Sequence, residues 1–194
     1  LIDIIIPSHE LYDKTEVCLR SIFNGLHDFN QVILVDDDSS SQGTLEEYFG
    51  KMFPEIVYVR NKQRACFSGT VNHGLEHATA KYVLVLNNDT KVVTPDCFNV
   101  MRQELEDWNV DLISARMDQL MPYGIKKIRC GGYAFLMERQ RLLDLGGLRS
   151  DGKFRHYRSD IHLFKQIVNI AISSAIINHD RHSSTKYLTH DIHH

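Results

Sequence analysis

The stretch "KYVLVLNNDTKVV", residues 81–93, places a run of apolar residues directly before a cluster of amides and an acid. The run from Tyr82 to Leu86 is continuous rather than alternating, which predicts a strand that is buried on both faces. Residues 31–41, "QVILVDDDSSS", repeat this arrangement. Asn and Asp are common in ordinary turns, but two buried strands that both end in acids and amides indicate a shared purpose at their tips.

Apolar, β-branched runs alternate with helical patterns through the first 118 residues. The predicted strands cover residues 2–7, 31–36, 55–61, 82–87 and 110–117, and the predicted helices cover 13–26, 44–53, 68–79 and 94–107. This alternation predicts an α/β fold with a mostly parallel, Rossmann-like sheet flanked by helices. Thr44 with Glu47 three residues later forms a candidate capping box at the start of the second helix.

The pattern becomes mixed after residue 118. One or two strands are predicted within residues 125–139, broken by Gly131 and Gly132, and helices are predicted at 139–148 and 158–168. Because no linker rich in Pro, Gly or Ser separates the two parts, we expect a single domain over residues 1–194 with a mixed C-terminal half.

Composition excludes several classes of protein. The chain is 43% hydrophobic and 24% charged with a net charge of -3, so it lacks the basic excess that is typical of nucleic-acid binding. Four widely spaced cysteines without a CxxC pair indicate reduced thiols in a cytoplasmic protein rather than a disulfide framework or a zinc site. No signal peptide is apparent, and the apolar run at 167–177 is too short and too polar to span a bilayer.

Ligands of open α/β sheets bind beyond the carboxyl ends of the strands. The predicted tips there read "PSHE" (7–10), "DDDSS" (36–40), "RNKQRACFSG" (60–69) and "NNDT" (87–90). Acids at this edge can accept hydrogen bonds from a base or ribose, or can hold a hard divalent cation. They repel a diphosphate by roughly 4 kcal/mol per pair of charges about 4 Å apart at an effective dielectric of 20, so a phosphorylated ligand implies a bridging Mg²⁺ or Mn²⁺.

The order of these segments resembles the family 2 glycosyltransferases, which have the A-type glycosyltransferase fold. The resemblance rests on "IDIIIPSHE", "CLRSI", "VILVDDDSS", "YVRN" and "FSGTVNHGLEHATAKYVLVLNNDT". It continues through "CGGYAFLMERQRLLDLGGL", "FRHYRSDIHLFKQI" and "IINHDRHSS" to about residue 185. It implies a nucleotide-sugar-binding half at about 1–118, an acceptor-side half at about 119–185 and a tail at 186–194.

The resemblance implies a role for particular residues. Those expected to line the nucleotide pocket are Pro7, Ser8, His9, Asp37, Arg64 and Asn88, with Asp37 accepting a hydrogen bond from the base. The helix that is predicted to begin at Ser68 is expected to offer its positive end to the nucleotide. Asp89 and His179 are the expected metal ligands, and Asp160 is the expected catalytic base.

The implied reaction is a metal-dependent displacement at an anomeric carbon. A sugar would move from a nucleoside-diphosphate sugar, with a UDP-sugar favoured, to a hydroxyl of a carbohydrate or glycolipid acceptor, with inversion of configuration. Mn²⁺ or Mg²⁺ would assist the departing diphosphate. A lipid-linked acceptor would bring the protein to the inner face of the membrane as a peripheral protein, in polysaccharide or glycoconjugate synthesis.

Two departures from the family pattern keep alternatives open. The metal-binding triplet "NND" contains one acid, and Ser159 replaces the first acid of the later pair. A non-catalytic nucleotide-binding module derived from a transferase is therefore one alternative, and a nucleotidyltransferase is another. A signalling receiver domain would carry its acid pair after the first strand, where this chain reads "PSHE".

Overall fold

The computed structural model describes residues 1–126, 131–154 and 158–180. Its strands are β1 (Ile2–Ser8), β2 (Gln31–Asp36), β3 (Val57–Arg60), β4 (Tyr82–Leu86), β5 (Thr90–Val92), β6 (Leu112–Arg116), β7 (Gly124–Lys126), β8 (Ala134–Glu138) and β9 (Ile170–His179). Its α-helices are α1 (Tyr12–Phe23), α2 (Leu45–Phe49), α3 (Cys66–His77), α4 (Cys97–Asp107), α5 (Arg139–Asp144) and α6 (Ser159–Lys165), and a 3₁₀ turn covers Gly152–Phe154.

The strands of the described residues form one mixed sheet in the order β3-β2-β1-β4-β8-β6-β9-β5, with β7 paired to β9. Strands β1, β2, β3 and β4 run parallel, and β8 is antiparallel to both of its neighbours. The predicted α/β fold with a mostly parallel sheet is confirmed. Thr44 and Glu47 form the predicted capping box at α2.

Successive residues of the central strands enter two separate cores, as the pleat of a strand requires. Ile4 and Ile6 face α1 and α4, whereas Ile5 faces α3. This division explains why the strands read as continuous apolar runs: both of their faces are covered by helices.

Three details differ from the sequence prediction. Helix α3 begins at Cys66, two residues before the predicted start at Ser68. The sequence does not predict strand β9, because Ser173 and Ser174 interrupt its apolar run, and it assigns the start of the short β5 to a polar tip. Within the described residues, no helix is both long and apolar enough to cross a bilayer.

Cys18, Cys66 and Cys97 are buried, and none of the described cysteines forms a disulfide. Burial raises the pKa of the Cys18 thiol to about 12, so this thiol stays neutral at pH 7 and packs behind the tip of β4. Cys130 and the predicted tail at 186–194 lie outside the described residues.

Gly74 is the point at which α3 packs most closely on the sheet. A Cβ added there would lie 2.6 Å from Cγ2 of Ile5 and 2.9 Å from Cγ2 of Val35, and both of these side chains are fully buried. We expect Gly74→Ala to lower the free energy of unfolding by about 1–3 kcal/mol in urea titrations, because the methyl group must push α3 off the sheet. Glu76→Ala, an exposed substitution in the same helix, should stay within about 0.5 kcal/mol of wild type. A Gly74→Ala protein as stable as the Glu76→Ala protein would show that this contact is not tight.

Candidate active site

Strand order creates a crevice beside the tip of β1. The chain passes from β1 to β2 and β3 on one side, and then returns to place β4 on the other side of β1. Ligands of open α/β sheets bind at such a reversal, beyond the carboxyl ends of the strands. Three of the predicted polar tips, those after β1, β2 and β4, therefore meet at one edge.

Ser8 and Asn88 join two of these tips through a buried bridge. The Asn88 amide Nδ2 donates to Ser8 Oγ at 2.9 Å and to Thr15 Oγ1 at 3.0 Å, and the two hydroxyls lie 3.1 Å apart. All three side chains are buried. Their hydrogen bonds lock α1 and β4 onto β1, while Pro7 is buried within β1 opposite Val35. The residues predicted to line a nucleotide pocket thus also hold its floor together.

The Asp36 carboxylate stabilises the loop after β2. It accepts from the backbone N–H of Ser39 at 2.8 Å and of Leu45 at 3.1 Å, and it pairs with Arg60 Nη1. Arg60 also reaches Asp38 at 3.0 Å. One guanidinium at the tip of β3 therefore offsets two of the three consecutive acids.

Glu10 fastens the loop after β1 to the loop after β2. Its carboxylate accepts from the backbone N–H of Ser40 at 2.8 Å and of Ser41 at 3.2 Å, and from the Ser41 hydroxyl. Partial burial alone would raise the pKa of Glu10, but these hydrogen bonds outweigh it and the pKa is lowered. His9 adds a second link, since its Nδ1 lies 2.7 Å from the carbonyl oxygen of Asp37 and must donate to it.

Asp37 is buried and organises the loop between β3 and α3. Its Oδ1 accepts from Asn61 Nδ2 at 2.7 Å and from the backbone N–H of Ala65 at 2.7 Å, and its Oδ2 accepts from the backbone N–H of Cys66 at 2.9 Å. These contacts use three of the roughly four acceptor positions of a carboxylate and leave one on Oδ2. Arg64, half-buried, lies next to Ala65 in this loop.

Two N–H groups at the positive end of α3, those of Ala65 and Cys66, donate to Asp37. The first N–H groups of this helix point at the Asp37 carboxylate, which satisfies donors that a helix start leaves unpaired. The helix begins two residues before the predicted start at Ser68, and the expectation that it offers its positive end to the nucleotide stays a prediction.

The second cluster of functional side chains lies at the tip of β4. Oδ1 of Asp89 and Nε2 of His179 are 3.1 Å apart, and Asn87 Nδ2 lies 3.5 Å from the same Nε2. The Tyr133 ring stacks on the His179 ring with centroids 4.9 Å apart and an interplanar angle of 7°. The antiparallel pairing of β5 with β9 sets Thr90 opposite His179 and so brings the two ends together. The structure therefore places the two predicted metal ligands side by side.

Asp160 lies at the start of α6, against the segment that leads into β8. A Cβ added to Gly132 would lie 2.2 Å from Asp160 Oδ2, so a residue with a side chain could not occupy this position without moving the carboxylate. The next residue, Tyr133, is the one that stacks on His179. Ser159 is buried. Asp160 and the Asp89–His179 pair are thus linked through two adjacent residues.

Sequence reasoning did not single out Asn61, His73, Tyr133 or Thr15. Asn61 stands at the end of β3, where the rule that ligands bind at strand tips could have drawn attention to it. The other three act through contacts between distant segments, and no local pattern marks them.

Comparison with known proteins identifies the family. Residues 3–162 match Glycosyl transferase family 2. The chain belongs to this family. The uncharacterized glycosyltransferase YibD of Escherichia coli is 25% identical over 118 residues, which are 60% of this chain and 34% of YibD.

Solved structures share the fold at low sequence identity. TarS 1-349 of S. aureus has a TM-score of 0.72 and 12% identity, over 91% of this chain and 59% of that one. The structure of the same protein in complex with UDP-GlcNAc has a TM-score of 0.69 and 12% identity, over 91% of this chain and 57% of that one. The mannosyltransferase PcManGT of Pyrobaculum calidifontis, in complex with GDP-Man and Mn²⁺, has a TM-score of 0.68 and 16% identity, over 88% of this chain and 56% of that one. The chain therefore spans less than two thirds of the length of these relatives.

The buried hydrogen bonds of Asp37 make a prediction about stability. We expect Asp37→Asn to lower the free energy of unfolding by about 2–3 kcal/mol, because the new amide group would face N–H donors that the carboxylate accepted. Asp38→Asn is the matched control. It loses only a half-exposed ion pair with Arg60 and should cost less than about 1 kcal/mol. Equal losses in urea titrations of the two proteins would contradict this difference.

Proposed function

We propose that this chain is a metal-dependent, inverting glycosyltransferase that moves a sugar from a nucleoside-diphosphate sugar to a hydroxyl acceptor. A UDP-sugar is the favoured donor and a carbohydrate or glycolipid the favoured acceptor, in polysaccharide or glycoconjugate synthesis. The observation that carries the proposal is the meeting of Asp37, Asp89 and His179 at the crevice beside β1 in a chain of this family. The complexes of TarS with UDP-GlcNAc and of PcManGT with GDP-Man and Mn²⁺ support a nucleotide-sugar donor.

Asp37 supports the choice of base. The acceptor position that remains on its Oδ2 suits a base with an imino N–H, which uracil, thymine and guanine carry and cytosine and adenine lack. His9 and Arg64 flank the Asp37 loop, and we assign them to the nucleotide. Ser8 and Asn88 shape the floor of the same pocket through their bridge to Thr15.

The side chains at the tip of β4 suit a divalent cation. Oδ1 of Asp89 and Nε2 of His179 lie 3.1 Å apart, close enough for a carboxylate oxygen and the Nε2 lone pair to bind one cation together. Asn87 Oδ1 is also buried without a hydrogen-bond partner among the described residues.

A metal bound by only two side chains, Asp89 and His179, would keep coordination positions for the phosphates of the nucleotide-sugar donor. The described residues contain no group of three or more His, Cys, Asp or Glu side chains that could enclose a metal. Mg²⁺ and similar hard cations commonly bind through one or two carboxylates together with the phosphates of a substrate. When bound, Mn²⁺ or Mg²⁺ would neutralise charge on the departing diphosphate.

Asp160 is the residue that we assign to the acceptor. Its carboxylate would accept the proton of the acceptor hydroxyl as the new bond to the anomeric carbon forms and the bond to the diphosphate breaks. Since a carboxylate is a weak base, positioning of the two substrates contributes more to the rate than basicity does. The Asp160 carboxylate lies against Gly132, and the next residue, Tyr133, stacks on the His179 ring.

The cellular location that we propose depends on the acceptor and not on the fold. We propose a cytoplasmic protein, with peripheral association at the inner face of the membrane where the acceptor is a glycolipid.

Nucleotide binding should require the metal. We expect UDP, at about 100 times its dissociation constant, to raise the melting temperature by about 5–10 °C in the presence of Mn²⁺ and by much less without it. The panel should include GDP, CDP and TDP. Asp89→Ala should abolish the metal-dependent rise, whereas Asp13→Ala, which removes an exposed acid near the same edge, should keep it. No shift with any nucleotide in the wild-type protein would contradict the transferase proposal.

Asp160 should be required for catalysis but not for nucleotide binding. We expect Asp160→Asn to slow release of nucleoside diphosphate from the donor sugar by about 100-fold or more, measured with a panel of saccharide acceptors. The nucleotide-dependent rise in melting temperature should be retained. Asp151→Asn, at an exposed carboxylate paired with Arg149, is the control and should keep the wild-type rate. Binding without release in the wild-type protein would instead identify a non-catalytic nucleotide-binding module.

A further inference from the structure

A chain of buried hydrogen bonds runs from the Asp37 carboxylate to α3. Asn61 donates through Nδ2 to Asp37 Oδ1 at 2.7 Å and to Thr70 Oγ1 at 3.1 Å. Its Oδ1 lies 2.6 Å from His73 Nδ1. Asn61 and Thr70 are buried, and His73 is half-buried. Every polar atom of the Asn61 side chain therefore has a partner.

The direction of these hydrogen bonds is determined by chemistry. The Asp37 carboxylate can only accept, so the Asn61 NH₂ group must face it. The Asn61 oxygen then faces His73, and Nδ1 of His73 must carry a proton and donate. A reversed Asn61 amide would set its oxygen against the carboxylate and its NH₂ group against the protonated Nδ1. His73 thus holds Asn61 in the orientation in which it donates to Asp37.

We propose that Asn61 and His73 are positioning residues that fix the Asp37 carboxylate and thereby determine the preference for bases with an imino N–H. The proposal rests on the proposed function, because it assigns the remaining acceptor position of Asp37 to the base. With both positions of Oδ1 occupied by Asn61 and Ala65, only Oδ2 is left to meet the base. Its direction then depends on how firmly Oδ1 is held.

Other contacts of Asp37 do not replace this one. Its backbone is fixed by the N–H bond to Ser8 at 2.8 Å and by the contact of His9 with its carbonyl oxygen. Neither contact limits rotation of the carboxylate. The N–H groups of Ala65 and Cys66 both lie on the α3 side, so Asn61 is the donor that approaches from β3.

Base discrimination gives a readout that loss of stability alone would not change. UDP and CDP differ at N3, which is a donor in uracil and an acceptor in cytosine, and GDP and ADP differ in the same way at N1. Isothermal titration with Mn²⁺ should show that the wild-type protein prefers the imino member of a pair, UDP over CDP or GDP over ADP, by at least about tenfold.

Two substitutions of similar shape separate positioning from packing. In His73→Asn, the Nδ2 group stands close to where Nδ1 stood and can donate to Asn61, so the preference should be retained. His73→Leu cannot donate, and the preference should fall to about threefold or less, mainly through weaker binding of the imino base. His77→Ala, at the exposed ring 5.5 Å from His73, should behave as wild type. If His73→Leu does not fold, His73→Asp, which can only accept, replaces it and should likewise lose the preference.

The possible failures are distinguishable. A wild-type protein that binds no nucleotide contradicts the proposed function and this inference with it. A wild-type protein that prefers UDP or GDP, together with a His73→Leu or His73→Asp protein that keeps the same preference, contradicts only the positioning role.

Discussion

The parallel pairing of β1 with β2 on one side and with β4 on the other is the constraint on which the candidate site depends. Ser8 stands opposite Asp36 in this register, and Ile5 stands opposite Val85. The loops after all three strands therefore open at one edge. The buried hydrogen bonds from Asn88 to Ser8 and Thr15 tie the ends of β1 and β4 to α1 beneath this edge. The side chains at the edge therefore stand on a rigid base.

The acidic side chains at this edge differ in how far their hydrogen bonds and ion pairs are already satisfied within the protein. Asp36 is paired with Arg60 and with backbone N–H groups, which commits it to the structure of its loop. Asp37 has three of its roughly four acceptor positions filled, and Asp89 lies beside the His179 imidazole and near the Asn87 amide oxygen, which has no hydrogen-bond partner among the described residues. Desolvated carboxylates are costly unless hydrogen bonds or counter-charges offset the burial. The degree of offset separates a structural acid from one that is suited to a ligand.

The first half of the fold could be predicted from sequence because its signals are local. Continuous apolar runs mark strands covered on both faces, and Thr44 with Glu47 marks a helix start. The direction of a strand is not encoded locally. The apolar run at 134–138 would have the same composition in a parallel or an antiparallel strand. The sequence does not reveal strand β9, because the Ser173 hydroxyl and the Ser174 backbone N–H donate to Glu104, a partner 69 or more residues away. The same reason hides His73, whose contact with Asn61 exists only once β3 and α3 are packed together.

The antiparallel direction of β8 explains how the second half reaches the site. A parallel strand beside β4 would deliver its last residue to the carboxyl edge, whereas β8 delivers its first, with Ala134 opposite Leu86. Gly132 and Tyr133 therefore lie at the crevice, one against Asp160 and the other against the His179 ring. Strand β9 runs parallel to β6, so its last residue, His179, arrives at the same edge. A mixed sheet thus lets two short segments that are far apart in sequence complete an edge that the parallel strands began.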